Sequence, residues 1–252
     1  MRPEYVIKLL ESGERIDERK FDAFRDIKIE TGIIKRAEGS ARVKIGKTDV
    51  IVGIKTEIGE PFSDMPNMGI LKTEAEFTPI ASPDFESGPP GEDATELARI
   101  VDRGIRESGC IDLEKLCIKE GEKAWQIFVD IQIINHDGNL IDASALAAVA
   151  ALRVTRVPKL EDDKIIRDKT EMKLPLLHTP ITVTVGKFSD KFIIDPLKEE
   201  EEILDSKISV AVMEDGKICA MQKSGESSLS MEDANEMIDL AVKKSKEMRK
   251  LL

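Results

Sequence analysis

Histidine and cysteine are scarce in this chain, and each scarcity closes off a kind of chemistry. His136 and His178 are the only histidines and sit in no ligand-spaced cluster, so no structural zinc site or other metal site is expected. Cys110, Cys117 and Cys219 are far apart and form no CxxC. With an odd count and no apolar signal core in the first twenty residues, they read as reduced thiols of a cytoplasmic protein. No apolar run approaches the ~20 residues of a membrane span, so no membrane partner is expected. Positive charge is in deficit: 38 Lys and Arg stand against 49 Asp and Glu, a net charge of −11. Affinity for phosphate backbones comes mostly from Lys and Arg, so a stand-alone nucleic-acid binder is disfavoured. Any contact with RNA has to come through a local basic patch or a basic partner.

Apolar residues are present in quantity. They make up 41% of the 252 residues, enough for a substantial core in one large domain or two small ones. The chain is organised around residues 131–157. Trp125, Ile127, Val129, Ile131 and Ile133 alternate as one face of a strand. Asp137-Gly138-Asn139 supplies a turn, and an alanine-rich helix follows with Asp142 as its expected N-cap. A strand–turn–helix of this kind can hold phosphate on its first helical N–H groups. This turn has one glycine and no cation, which favours a plain connection.

Before that stretch, residues 3–11 predict a short amphipathic helix ended by Ser12-Gly13. Strand signals follow at 27–30, and 41–54 reads as a hairpin around Gly46-Lys47-Thr48. Another strand is expected at 71–77, then an exposed proline-containing loop at 82–93. Residues 95–108 predict a helix with Leu97, Ile100, Val101 and Ile105 on one face and Arg99, Arg103 and Arg106 on the other. The arginines are either a solvated face paired with Glu96, Asp102 and Glu107, or a cationic stripe for a phosphate backbone.

Beyond the central helix, residues 158–180, broken by Pro158, Pro175 and Pro180, read as a long connection between two halves. Strands are expected at 181–185 and 191–194. The run Glu199–Glu202 reads as a solvated helix start. A hairpin at 208–222 with an Asp215-Gly216 turn precedes a last helix opened by Ser230. Strands, hairpin and helix in each half suggest a weak internal repeat.

Several short features together resemble the RNase PH family of phosphorolytic 3′→5′ exoribonucleases, from about Arg15 to the C-terminus. They are Arg15-Ile16-Asp17-Glu18-Arg19, Phe24-Arg25, Gly39-Ser40, Gly46-Lys47-Thr48, the helix of Arg99, Arg103 and Arg106, Asp137-Gly138, and Ser224-Gly225. The resemblance implies an α+β RNase PH-like fold: two β-rich βαβ-type halves with helices packed on the sheets. The expected division is an N-terminal helix and extension (1–25), a first half (26–157), a connecting segment (158–180) and a second half (181–252).

Active members of the family carry Gly-Gly-Thr-Arg after the aspartate of the turn, and the threonine and arginine hold the attacking phosphate. Here Gly138-Asn139-Leu140-Ile141 stands there, with Ile141 at the arginine position. A pair of aspartates six residues apart falls on Glu201 and Lys207, with Asp205 close by. The chain therefore looks like the non-catalytic RNase PH-like subunits of archaeal exosome cores. That implies pairing with a catalytic sibling in a ring of three heterodimers, single-stranded RNA in the channel, and RNA-binding cap proteins with KH-type or related domains. The resemblance makes Arg99, Arg103 and Arg106 the RNA-binding candidates, with no catalytic residue and no cofactor. An autonomous phosphate-dependent exoribonuclease with a rearranged site is the second reading, and a binding module with no enzyme partner the third.

Overall fold

The computed structural model describes residues 2–162 and 164–252. Helix α1 (Pro3–Ser12) leads into β1 (Ile27–Thr31), β2 (Gly39–Ile45), β3 (Thr48–Gly59) and β4 (Ile70–Glu76). Then come α2 (Glu92–Glu107), β5 (Cys117–Lys119), β6 (Lys123–Asn135) and α3 (Leu140–Val154). Strands β7 (Arg156–Glu161) and β8 (Lys164–Lys173) lead to β9 (Ile181–Phe188), β10 (Lys191–Ile194) and the short α4 (Lys198–Glu201). Strands β11 (Ser206–Val212) and β12 (Ile218–Ser224) precede the closing α5 (Met231–Arg249). No helix among the described residues is long and apolar enough to cross a membrane.

The alternation that predicts β6 also determines what covers it. Trp125, Ile127, Val129, Ile131 and Ile133 are buried, while Gln126, Asp130 and Gln132 between them face outward. β6 pairs antiparallel with β3, Ile131 opposite Val52, and parallel with β4, Ala75 opposite Ile131. The sheet order is β1-β2-β3-β6-β4, with β5 pairing β6 at one end. The parallel β4–β6 pair needs a crossover, and α2 supplies it.

Helix α3 is buried without a break from Leu140 to Leu152. A helix with no solvent face has neighbours on every side. It packs on β2 and β3 of the first sheet, on α2, and on β9 of the second sheet. Its alanines allow that close approach. At Gly39, where β2 begins against the end of α3, a Cβ would lie 2.1 Å from Thr155 Oγ1.

The second sheet, β10-β9-β11-β12, is antiparallel throughout. Helix α5 packs on β9 and β11 and buries Met237, Ala241 and Met248. Its first turn is held by Ser230 Oγ, which accepts the Asp233 N–H at 3.0 Å. The halves are unequal: the second sheet lacks the parallel crossover of the first, so the repeat is one of layering rather than of strand order.

Residues 158–180 are not a simple connection. β7 and β8 pair as a hairpin, Val157 opposite Met172 and Leu160 opposite Ile165. Pro158 sits at a register shift, where a missing N–H costs no ladder bond. A proline at a bulge thus hides a strand from a reading that treats proline as a breaker.

The N-terminal extension packs on the second half. Gly13, with φ +85, ends α1 and donates to the Leu10 carbonyl. Val6 and Leu10 bury against Phe188 and Ile193. Arg15 follows and is fully buried; its guanidinium takes the Glu200 carboxylate at 2.6 and 3.1 Å and the carbonyls of Ile194 and Asp195. Removing one member of a buried pair strands the other. Arg15→Met should therefore lose about 3–5 kcal/mol in urea unfolding, and Arg15→Met with Glu200→Met should regain most of it. An additive double mutant would contradict this.

Candidate functional site

Strand β6 delivers the turn Asp137-Gly138-Asn139 to the seam between the halves. At Gly138, φ is +86 and a Cβ would lie 2.3 Å from the Pro196 carbonyl oxygen, so only glycine fits. Asn139 follows in the left-handed region, φ 56, and is the N-cap of α3. Asp142 is therefore not the cap. The left-handed pair at 138–139 starts the helix three residues earlier than composition suggests, and Asp142 lies inside the first turn, wholly buried.

Around this turn is a dense charge network. Thr48 Oγ1 donates to the Gly138 carbonyl at 2.6 Å. Arg25 donates to the Asp137 carbonyl and carboxylate at 2.7 and 3.2 Å. Its Nε and Nη2 hold the two oxygens of Asp195 at 2.8 and 2.6 Å, and its backbone N–H adds a bond at 2.8 Å. Arg19 and the Asn139 side-chain amide complete the Asp195 shell at 3.1 and 2.9 Å. Burial works to raise the Asp195 carboxyl, but Arg25 and Asn139 outweigh it and hold the group below its usual range.

Ile141, the second residue of α3, lines a cavity of about 250 Å³ beside His136, Glu201 and Lys207. The three positions singled out by the family resemblance, Ile141, Glu201 and Lys207, thus come together. Lys207 Nζ lies 2.6 Å from Glu201 Oε1, and Glu201 Oε2 accepts the Asn139 N–H at 3.0 Å. Burial opposes both charges. Each outweighs it for the other, so Glu201 is held low and Lys207 high. Asp205 lies outside, exposed, accepting the Ser189 N–H.

The run Glu199–Glu202 is accordingly not a solvated face. Glu200 is buried against Arg15 and Glu201 closes on Lys207, because α4 is tucked into the seam. Chemically, the Asn139 N–H at the cap of α3, beside the place where an external anion would bind, is taken by the protein's own carboxylate.

The arginine helix divides. Its apolar face is buried as expected, and Arg99, Arg103 and Arg106 are exposed. Arg106 follows the solvated-face reading: it pairs with Asp102 at 2.9 Å and donates to the Leu71 carbonyl at 3.0 Å. Among the described residues Arg103 makes one bond, to Gln222 Oε1 at 3.3 Å. Arg99 makes no hydrogen bond or ion pair among the described residues. Arg99 and Arg103 line a groove of about 610 Å³ with Glu96 and Gln222.

Sequence reasoning missed His136, Phe77 and Phe85, which stack in order, Phe77 on Phe85 at 4.5 Å and Phe85 on His136 at 5.5 Å between centroids. No periodicity joins residues from a strand end, a loop and a turn. Asp195 was missed as well, because its arginine partners lie 176 and 170 residues away.

With the geometry known, the chain can be set beside known proteins. Residues 23–158 match domain 1 of the 3′ exoribonuclease family, RNase PH, and residues 178–244 match domain 2. The chain is 50% identical over 242 residues to exosome complex component Rrp42 of Methanothermobacter thermautotrophicus, covering 95% of this chain and 89% of that protein. It superposes on a chain of the Archaeoglobus fulgidus exosome with RNA bound to the active site with a TM-score of 0.93 and 45% identity, covering 98% and 96% of the two chains. A chain of an archaeal exosome core gives 0.88 at 42% identity, covering 98% and 94%.

Burial pushes the Asp142 carboxyl from 3.8 up to about 7, with polar groups of Thr184 and Asn139 offsetting part of the effect. The folded state then holds this proton more tightly than the unfolded chain. The cost is absent below about pH 4, grows towards pH 7 and is constant above it. Asp142→Asn should therefore gain on the parent as pH rises from 4 to 8, by on the order of 1–4 kcal/mol in urea midpoints. A difference flat with pH would contradict the assignment.

Proposed function

Given that this chain belongs to the 3′ exoribonuclease family, the RNase PH family, we propose that it is a non-catalytic subunit of an archaeal-type exosome ring. It pairs with a catalytic RNase PH-like sibling, three such pairs closing the ring. Single-stranded RNA is guided to 3′→5′ phosphorolysis, with KH-type or related RNA-binding proteins capping one face. Three free cysteines fit a reducing, cytoplasmic setting.

The observation that carries the reading is the Lys207–Glu201 pair beside Ile141. Phosphorolysis needs inorganic phosphate held in line with the terminal linkage and charge stabilisation of the departing nucleotide. An isoleucine offers phosphate nothing. The carboxylate of Glu201 already accepts the helix-start N–H and repels a second anion. Lys207 is neutralised by the same carboxylate.

Arg99 and Arg103 are what this chain offers to RNA. Both are exposed cations on a firmly packed helix and able to meet phosphates without breaking an ion pair. The remaining acidic surface is no obstacle if the sibling lines most of the RNA path.

Incubated with RNA and phosphate, the purified chain should release no nucleoside diphosphates, whereas its pair with the sibling should. Release by this chain with the sibling's catalytic acids mutated would instead support an autonomous exoribonuclease with a rearranged site. Arg99→Glu with Arg103→Glu should weaken RNA binding by the assembled complex by about ten-fold or more and flatten its salt dependence, with assembly unchanged by sizing. Collapse of assembly would make the stripe an interface element.

A further inference from the structure

The cavity beside Ile141 is unsuited to phosphate, yet it is neither filled nor featureless. It holds about 250 Å³, below the usual size of drug-binding pockets and suited to one flat ring system. Its walls include Phe77, Phe85, Ile100 and Ile141, and its polar lining includes the carboxylates of Asp93 and Glu96. Asp93 makes no hydrogen bond or ion pair among the described residues, and Glu96 accepts only the Ser224 hydroxyl, at 3.1 Å. The aromatic stack of Phe77, Phe85 and His136 fixes the wall, and the Gly138 N–H to His136 Nδ1 contact, 3.4 Å, anchors the ring to the turn. The cavity adjoins the arginine groove, and Glu96 and Ile100 line both.

We infer that this cavity receives one unstacked nucleobase of an RNA strand whose phosphates lie along Arg99 and Arg103, and that it favours bases with an exocyclic amino group. The inference rests on the RNA-guiding role proposed above. Apolar and aromatic walls accept the uncharged base, as single-stranded recognition modules do. Asp93 and Glu96 exclude the phosphate. Carboxylates accept hydrogen bonds and cannot donate them. The amino groups of adenine, cytosine and guanine bring two N–H donors to them, whereas uracil brings the single N3–H, flanked by O4 and O2 that face them unfavourably. A partner protein's arginine would meet the same carboxylates, but the adjoining arginine groove and the aromatic lining favour a base.

Adenosine, cytidine and uridine titrated into the full chain, followed by the methyl resonances of Ile141 and Ile100, test the inference. Adenosine and cytidine should shift both methyls saturably, with uridine about ten-fold weaker, the worth of one charge-assisted hydrogen bond. Ile141→Trp should fill the cavity and abolish the response. If that variant does not fold, Glu96→Gln on the exposed rim decides, because an amide also donates and should narrow the gap between uridine and adenosine. Arg99→Ala with Arg103→Ala should leave nucleoside binding intact while weakening an oligonucleotide. Oligonucleotide binding that needs the arginines, with no nucleoside entering, would overturn the base pocket and leave the RNA-guiding role standing. Nucleoside binding with oligonucleotides indifferent to the arginines would do the reverse. Equal uridine binding, or a stronger response to N-acetyl-arginine amide than to adenosine, would also overturn the pocket.

Discussion

Asp195 is wholly enclosed by protein and carries its charge only because Arg19, Arg25 and Asn139 surround it. Its partners come from the N-terminal arm and from the turn of the first half, while Asp195 itself belongs to the second. A buried carboxylate without partners is costly, and an arginine left without its carboxylate costs as much again. The network therefore has one low-energy arrangement, in which arm, turn and second sheet are all in place. Arg15 and Glu200 repeat the device, with Arg15 also donating to the Asp195 carbonyl at 2.9 Å. The start of α3 owes its position to this seam.

The same seam decides what the site can do. With α4 drawn in by Arg15, Glu201 is carried to the Asn139 N–H, where it supplies the negative charge that the helix start favours. Lys207 then balances it. At a place with the geometry for binding an anion, the cap N–H is occupied from within. This also reconciles an acidic chain with RNA work. Cations in the interior are spent on the fold, and those proposed to meet a phosphate backbone are on the outer face of α2.

Local periodicity made much of the fold legible. The strands of both sheets, the hairpin at 208–222, the split faces of α2 and the Ser230 cap need only near neighbours in sequence. What failed depended on distant ones. Pro158 at a bulge concealed β7, the left-handed Asn139 displaced the cap from Asp142, and the acids after Leu197 were read as solvated because Arg15 lies 185 residues from Glu200. The candidate site was legible at Ile141, Glu201 and Lys207 through resemblance to a family. The aromatic stack required coordinates, as did the choice between the two readings of each arginine.

The central claim is that the start of α3 no longer accepts an external anion. Inorganic phosphate titrated into the full chain at neutral pH, with the Asn139 amide and the Ile141 methyl followed by NMR, tests it most directly. The account predicts no saturable shift at either position up to tens of millimolar phosphate, well beyond any dissociation constant useful to a phosphorolytic enzyme. A saturable shift at both, with the Glu201–Lys207 pair opening to admit the ion, would contradict it.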